Sequence, residues 1–289
     1  MKLIVIGGVA SGTSAAARAT RVNPDVEVTL YERDDDISYA GCGLPYYISG
    51  VIEERSSVII NTPEKFSDKY GINLKTSHEV TRIDPENKEI HYKDLVNGDE
   101  GTDSYDKLII ATGAEPIMPP IPGIELENIV PLRTVDHADR HKRLATHSDI
   151  NKVTIVGAGL IGMEMSEAYR ELGLEVTVVE KQQHILPLIN GELAEKVENH
   201  CRENGVEFYL GQGVNEFKGE DKVEKVILDS GEEIETDMVL MAIGVRPVSG
   251  LAAEAGVELG VKNSIKVMAG WRPTSMISGP VATVASQLI

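Results

Sequence analysis

One cysteine in this sequence stands in a setting that suits redox chemistry. The stretch ISYAGCGLPYYISG, residues 37 to 50, places Cys42 between two glycines and directly before a predicted short helix. A helix N-terminus can lower the pKa of a thiol beside it, which raises the fraction of nucleophilic thiolate. The only other cysteine, Cys201, lies in the polar helical stretch ENHCRENG and is predicted to be inert. A redox cycle at Cys42 therefore needs an external sulfur or oxygen partner, through a mixed disulfide or a sulfenic acid. The alternative is that Cys42 is an inert, buried thiol.

A glycine-rich turn follows the first predicted strand. KLIVIGG is a continuous apolar run, typical of a strand buried on both faces of a parallel sheet. Gly7, Gly8 and Gly12 form the turn, TSAAARATRV predicts a helix, and VEVTLYE predicts a second strand that ends at Glu32. In such a βαβ unit the backbone can approach a pyrophosphate, and the acid can accept a hydrogen bond from a ribose hydroxyl. Val9 replaces the usual middle glycine, so an ordinary strand–helix turn stays open as an alternative.

The same plan recurs in the second half of the chain. KVTIVGAGLIGMEMSEAYRELGLEVTVVE holds a full G-x-G-x-x-G at Gly157, Gly159 and Gly162, with a strand before it and a helix after it. Glu180 ends the next strand, 23 residues after Gly157. An acid at this place favours NAD(H) over NADP(H), although the adjacent Lys181 weakens the preference.

Two dinucleotide-binding units in one chain predict two dinucleotides. If both are redox cofactors, FAD and NAD(P)H form the natural pair, because a flavin can take a hydride from a nicotinamide. Each unit also has a later strand that ends in small residues, at Ala111-Thr112-Gly113 and within EIETDMVLMAIGVRP, residues 233 to 247. We expect an α/β fold of two Rossmann-like domains.

The composition excludes several classes of partner. A formal net charge of −18 argues against nucleic acid or an anionic membrane as the main partner. No apolar run reaches the length of a membrane span. Two cysteines do not make a disulfide framework, so we expect a cytoplasmic protein, and no metal site is predicted.

The sequence resembles the pyridine nucleotide–disulfide oxidoreductase family, in its single-cysteine branch of coenzyme A-disulfide reductases, NADH oxidases and NADH peroxidases. The resemblance extends from Met1 to about Val267. It is carried by six motifs: GGVASG (7–12), SYAGCGLPYY (38–47), TPEKF (62–66), ATGAEP (111–116), GAGLIGME (157–164) and AIGVRP (242–247).

The resemblance implies a three-layer ββα arrangement in each domain, hydride transfer from NAD(P)H to FAD, and electron transfer from the flavin to oxidised Cys42. It implies an FAD-binding domain over residues 1–114, an NAD(P)-binding domain over residues 115–244, and a return to the first domain over residues 245–289, with an aberrant tail from about residue 268. It assigns the following positions to FAD: Gly7, Gly8, Gly12, Glu32, Arg33, Ala111, Thr112 and Gly113. It assigns these to NAD(P)H: Gly157, Gly159, Gly162, Glu164, Glu180 and Gly244.

The first glycine loop indicates the branch of the family. Peroxidases and oxidases usually carry a histidine there, whereas this chain has Ala10, so the sequence is more similar to the coenzyme A-disulfide reductases. Similarity to that group implies coenzyme A contacts at Ser14, Arg18, Arg21 and Ser38. The alternative for the two arginines is that they lie on a solvated helix face and bind no ligand. An NADH oxidase that uses O₂ is the runner-up, and peroxide or polysulfide reduction stays possible.

Family members run to about 450 residues, with a second FAD motif and a C-terminal domain that makes a homodimer. This chain instead ends in SIKVMAGWRPTSMISGPVATVASQLI, which shows neither helical nor strand periodicity. Read one nucleotide out of frame, the tail can encode METNIHDIWASGDCSE, which contains the motif. We therefore expect a one-nucleotide slip near Val267 and a dimerisation domain that is missing. With part of the FAD site missing as well, we expect the 289-residue chain to bind FAD weakly and to show little turnover by itself. A non-catalytic dinucleotide-binding fragment or redox sensor is the alternative from another class.

Overall fold

The computed structural model describes residues 1–268, 272–273 and 282–284. The chain divides into two compact units, each assembled from separate segments. The first unit comprises Met1–Ala40, Ile59–Glu115 and the described residues from Arg246 onward, and the second comprises Gly41–Val58 and Pro116–Val245. The segment 41–58, which carries Cys42, thus groups with the second unit, whereas the sequence placed it within the range 1–114. The predicted domain boundaries stay a prediction.

The helices are α1 (Ser11–Val22), α2 (Leu44–Ser49), α3 (Pro63–Tyr70), α4 (Val135–Ala145), α5 (Leu160–Glu171), α6 (Gly191–Glu203) and α7 (Gly250–Glu254). The strands are β1 (Lys2–Ile6), β2 (Glu27–Tyr31), β3 (Asn73–Lys75), β4 (His78–Asp84), β5 (Glu89–Asp94), β6 (Glu100–Ser104), β7 (Lys107–Ile110), β8 (Ala114–Pro116), β9 (Ile129–Pro131), β10 (Lys152–Val156), β11 (Glu175–Glu180), β12 (Val206–Leu210), β13 (Val214–Lys218), β14 (Lys225–Leu228), β15 (Glu233–Glu235), β16 (Met238–Met241), β17 (Val245–Pro247), β18 (Val267–Met268), β19 (Arg272–Pro273) and β20 (Ala282–Val284). None of the helices in the described ranges is long and apolar enough to cross a membrane.

Each unit is built on a five-stranded parallel sheet. The strand order is β20-β7-β1-β2-β3 in the first unit and β12-β11-β10-β16-β9 in the second. Each unit adds a three-stranded antiparallel sheet, β4-β5-β6 in the first and β13-β14-β15 in the second. The repeated βαβ plan predicted from the two glycine motifs is confirmed, and so are the strands predicted between residues 78 and 116.

Alternate residues of β1 face opposite layers, as the period of a strand requires. Leu3 and Val5 pack in one apolar cluster with Ala16 of α1 and Phe66 of α3. Ile4 and Ile6 pack in another cluster with residues of the antiparallel sheet, such as Ile90. In the second unit β10, β11 and β16 likewise contribute to a cluster with the antiparallel sheet. This sandwiching explains why β1 and β10 are buried at every position after their first lysine, and it confirms the predicted three-layer ββα fold.

One fully buried polar pair lies in the core of the second unit. His141 of α4 is completely shielded from solvent, and its Nδ1 lies 2.7 Å from the hydroxyl of Tyr169 on α5. Its Nε2 lies 3.2 Å from the carbonyl oxygen of Pro131. A carbonyl oxygen can only accept, so Nε2 carries the proton and Nδ1 accepts from Tyr169. Burial lowers the pKa of His141 to about 3, which keeps the imidazole neutral.

The tail contains a strand that its sequence pattern did not indicate. Ala282–Val284 runs parallel to β7 and forms the edge of the first unit's sheet. The local run VATV is rich in β-branched residues, and the open edge of β7 offers backbone partners to such a run. Most of the tail, on which the frame-slip hypothesis depends, lies outside the described residues.

Candidate functional site

The two helices that follow the glycine turns lack side-chain caps. Neither α1 nor α5 has a capping side chain or an acidic residue in its first turn. Three other helices of at least eight residues have both: α3 is capped by Thr62, α4 by Thr134 and α6 by Asn190. An uncapped helix start leaves backbone N–H groups and the positive end of the helix dipole available to an anion. Among the helices of at least eight residues in the described ranges, α1 and α5 are thus the two whose starts stay open to an anion.

Each glycine turn is pressed against the end of a neighbouring strand. The Gly7 N–H donates to the carbonyl of Tyr31, and the Gly157 N–H donates to that of Val179, both at 2.8 Å. A Cβ at Gly7 would collide with the Ala111 carbonyl, and a Cβ at Gly157 would collide with the Ala242 carbonyl.

A second glycine of each motif lies at the start of the helix. A Cβ at Gly12 would strike the Gly7 carbonyl, and a Cβ at Gly162 would strike the Gly157 carbonyl. Both turns can therefore close only with glycine, and the resulting backbone surface suits a pyrophosphate.

The acid after each second strand binds the glycine turn in the same way. Glu32 accepts hydrogen bonds from the Gly8 N–H at 2.5 Å and from the Asp34 N–H at 3.0 Å. Burial raises the pKa of Glu32, while these backbone donors act in the opposite direction.

Glu180 makes the matching pair of contacts in the second unit. It accepts from the Ala158 N–H and from the Gln182 N–H, both at 2.8 Å. Each carboxylate is thereby fixed beside its turn, and its remaining lone pairs can accept from a ribose hydroxyl. Arg33, which the sequence assigned to the FAD site, is exposed beside Glu32, and its Nε lies 3.8 Å from Asp34.

The two turns differ at their third position. Val9 has a φ of 57°, in the left-handed region that β-branched residues rarely adopt. Thr13 of α1 is buried, and its hydroxyl donates to the Val9 carbonyl, which helps to hold this conformation. Gly159 in the second turn has an extended backbone with a φ of −76°, and no atom lies within 4 Å of the place where its Cβ would be. The first turn is therefore the strained one.

The small residues at the two later strand ends lie beside the turns. Gly113 has a φ of 67°, and its carbonyl accepts from the Val248 N–H at 3.0 Å. Thr112 donates its hydroxyl to the Val248 carbonyl at 2.5 Å. In the second unit Gly244 has a φ of 118° and accepts from the Ile117 N–H at 3.0 Å. Both ends present backbone rather than bulky side chains.

An open groove of about 540 Å³ runs along the carboxyl ends of the second unit's strands. It brings together the predicted positions Gly157, Gly159, Glu180 and Gly244. Glu164 does not share this groove: it is exposed on α5 and lines a separate groove between α5 and α6.

The redox candidate Cys42 is exposed in a short 3-10 turn, Gly41–Gly43, that leads directly into α2. Exposure makes the thiol accessible to an external partner, as an exchange reaction requires. The expectation of a short helix after Cys42 is confirmed, and the alternative of a buried thiol is wrong.

Side chains that the sequence did not single out fix the Cys42 segment to α4. The Tyr47 hydroxyl donates to Asp139 at 2.7 Å, and Arg55 Nε donates to the other oxygen of Asp139 at 2.8 Å. Lys142 Nζ lies 4.0 Å from the centre of the Tyr47 ring and donates to the Glu53 carbonyl at 3.1 Å. Burial and the neighbouring Asp139 raise the pKa of Tyr47 to about 12, so it stays a donor. We call Tyr47, Arg55, Asp139 and Lys142 the α4 clamp.

The predicted coenzyme A contacts are spread over two segments of the first unit. Ser14, Arg18 and Arg21 are exposed on α1, at positions that share one helix face. Ser38 has a φ of 47°, and its hydroxyl accepts from the amide of Asn61 at 3.3 Å. Asn61, just before TPEKF, was not singled out from the sequence.

Cys201 is half-buried on α6, in the groove that also holds Glu164. Burial raises the pKa of its thiol, and the carboxylates of Glu167 and Glu198 raise it further. A raised pKa lowers the thiolate fraction, which supports the prediction that Cys201 is unreactive.

Comparisons with known proteins agree with this geometry. Residues 1–276 match the model of a family described as pyridine nucleotide-disulphide oxidoreductase. An NADH oxidase of Methanocaldococcus jannaschii is 35% identical over 261 residues, which are 90% of this chain and 58% of that protein. A coenzyme A disulfide reductase of Staphylococcus aureus strain JH9 is 28% identical over 266 residues, which are 92% of this chain and 59% of that protein.

The chain superimposes on the crystal structure of reduced Bacillus anthracis CoADR-RHD with a TM-score of 0.92 and 39% sequence identity. The superposition covers 99% of this chain and 50% of the Bacillus anthracis chain. The chain thus spans between half and three fifths of the length of these relatives.

Proposed function

Because the chain belongs to the pyridine nucleotide-disulphide oxidoreductase family, we propose that it forms the FAD-binding and NAD(P)H-binding part of an enzyme that reduces a disulfide through the single redox thiol of Cys42. The observation that carries the proposal is the pair of uncapped helices, α1 and α5, each behind a glycine turn and beside a fixed acid. Two phosphate-binding helix starts fit two dinucleotides.

The residues on each turn fit the groups that we assign to them. Gly7, Gly8 and Gly12 offer backbone to the FAD pyrophosphate, and Glu32 offers a carboxylate to its ribose. Gly157, Gly159 and Glu180 do the same for NAD(P)H. When bound, FAD supplies a two-electron carrier between a nicotinamide and a sulfur centre.

Cys42 supplies the sulfur chemistry. Its thiolate attacks a disulfide R–S–S–R, which forms a mixed disulfide with Cys42 and, with one proton, releases the first thiol. Two electrons and a second proton then break the mixed disulfide, release the second thiol and restore the thiolate. The exposure of Cys42 supports this role, and two free cysteines suit a reducing compartment such as the cytoplasm.

We propose coenzyme A disulfide as the substrate. Arg18 and Arg21 are exposed cations that can bind the phosphates of coenzyme A, and Ser14 and Ser38 can bind them or the adjoining chain. The likeness to the Staphylococcus aureus coenzyme A disulfide reductase supports this choice.

The second candidate is reduction of O₂, which the likeness to the NADH oxidase of Methanocaldococcus jannaschii supports. An exposed thiol can also cycle through a sulfenic acid, as that reaction requires.

The test compares the chain with Cys42→Ser and with Cys201→Ser as the matched control. Purified protein is incubated with FAD, NADH and coenzyme A disulfide, while NADH loss, thiol release and O₂ uptake are followed together. We expect two thiols per NADH, lost in Cys42→Ser and kept in Cys201→Ser. O₂ uptake without thiol release would favour the oxidase, and tight binding of both dinucleotides without turnover would favour a binding module.

A further inference from the structure

The groove of the second unit is lined by more acidic than basic side chains. Among the described residues, its charged side chains are Glu180, Lys181 and Asp229, two acids and one base. Glu180 belongs to the glycine fingerprint, whereas Asp229 comes from the turn after β14, about fifty residues further along the chain. Nothing in the fingerprint explains a second carboxylate there.

Backbone contacts bring Asp229 to the same part of the groove as Glu180. The Gln212 N–H donates to the Glu180 carbonyl at 3.1 Å, and Gly213 follows directly. The Asp229 N–H donates to the Gly213 carbonyl at 2.9 Å. A Cβ at Gly213 would collide with Oδ2 of Asp229, so the carboxylate lies over the Gly213 Cα.

We propose that Asp229 is a specificity-determining residue that, together with Glu180, makes this groove prefer a dinucleotide with a free 2′-hydroxyl over one with a 2′-phosphate. The inference rests on the proposed function of the groove as the nicotinamide dinucleotide site. It deepens that function by naming NADH rather than NADPH.

The physical reason is the balance of charge. A phosphate monoester carries about −1.5 to −2 charges at pH 7, and two carboxylates repel it. Glu180 is held by the N–H groups of Ala158 and Gln182, which fixes its negative charge beside the turn. Lys181 offers a single exposed cation, and one ammonium does not offset two carboxylates.

The test uses two ligands that lack the nicotinamide, so no redox step is involved. Binding of ADP-ribose and of 2′-phospho-ADP-ribose to the full chain is measured by calorimetry at low salt. The variants are Asp229→Asn, Asp229→Lys and the charge-conserving Asp229→Glu. Glu220→Gln, at an exposed acid outside the residues that line the groove, is the matched control.

We expect Asp229→Asn to tighten binding of the 2′-phosphorylated ligand about fivefold, which is the effect of removing one charge at the edge of a solvated site. Asp229→Lys should tighten it further, and ADP-ribose should change less than about twofold because it carries no charge at the 2′ position. Asp229→Glu and Glu220→Gln should keep the original ratio of the two affinities, and added salt should reduce the ratio in the unaltered chain.

An unchanged ratio of the two ligand affinities in both Asp229→Asn and Asp229→Lys would overturn the inference. A change of the ratio in Asp229→Glu as large as that in Asp229→Asn would also overturn it, because it would indicate a steric rather than an electrostatic effect. If the unaltered chain binds neither ligand, the proposed function of the groove is itself wrong. The ADP-ribose measurement therefore separates the two failures.

Discussion

Replacing His141 by glutamine should remove a large part of the pH dependence of the second unit's stability. His141 is neutral in the folded chain because burial lowers its pKa to about 3, whereas an unfolded histidine titrates near 6.5. Below pH 6.5 the unfolded state therefore takes up a proton that the folded state does not. The stability that neutral His141 provides is present above pH 6.5 and is lost as the pH falls toward 3.

The size of the effect follows from these two values. Each pH unit between them lowers the free energy of unfolding by about 1.4 kcal/mol, and the loss between pH 7 and pH 5 amounts to about 2 kcal/mol. Glutamine has no titrating group, yet its amide can donate to the Pro131 carbonyl. His141→Gln should therefore lose some stability at pH 7, about 1–3 kcal/mol, and lack this 2 kcal/mol drop on acidification.

Urea unfolding at pH 7 and at pH 5, followed by circular dichroism, measures the two free energies. Hydrogen exchange of the β10 amides reports on the second unit alone. Tyr169→Phe is the matched control: it removes the donor to Nδ1 and destabilises at both pH values, but it keeps the histidine and hence the slope. Equal pH slopes for the unaltered chain and His141→Gln would show that His141 does not stay neutral in the folded state.

Three further predictions concern the turns and the α4 clamp. Val9→Gly should raise the free energy of unfolding by about 0.5–1 kcal/mol in urea titrations. The relief of strain in the left-handed backbone exceeds the added entropy of a glycine in the unfolded chain. A lower free energy of unfolding would show that Val9 is not strained. Gly159→Ala should leave the unfolding midpoint unchanged, because the added Cβ would meet no atom. It should weaken NAD⁺ binding at least about tenfold in calorimetry, because the methyl group fills the space beside the turn. An unchanged affinity would show that the phosphates bind elsewhere. Asp139→Ala should leave the Tyr47 hydroxyl without its acceptor and destabilise the segment around Cys42 by about 1 kcal/mol. Hydrogen exchange of the α2 amides should then be faster. Unchanged exchange in α2 would show that the α4 clamp does not hold the segment.

The βαβ units could be predicted because their signals are local. The apolar run of β1, the glycines of each turn and the acid after the next strand all lie within about thirty residues of one another. The same local logic predicted the short helix after Cys42. The small residues at 111–113 also stood out, since they directly follow the apolar run of β7.

The α4 clamp and Asp229 could not be predicted because they depend on contacts between distant parts of the chain. Asp139 meets Tyr47 across 92 residues of sequence, and within VDHADRHKRLA it is one charge among several. The left-handed backbone at Val9 was also hidden, although the missing glycine marked the position. The strand at Ala282–Val284 depends on an open sheet edge, which periodicity within the tail does not reveal.

The uncapped starts of α1 and α5 make the stability of this protein depend on its bound ligands. A capping side chain at each would add about 1 kcal/mol to the empty fold, yet it would occupy the N–H groups that a phosphate needs. The chain thus leaves part of its stability to be supplied by its ligands, by an amount that grows with the logarithm of their concentration. The empty chain is therefore the less stable form, and its larger unfolded fraction is open to proteolysis.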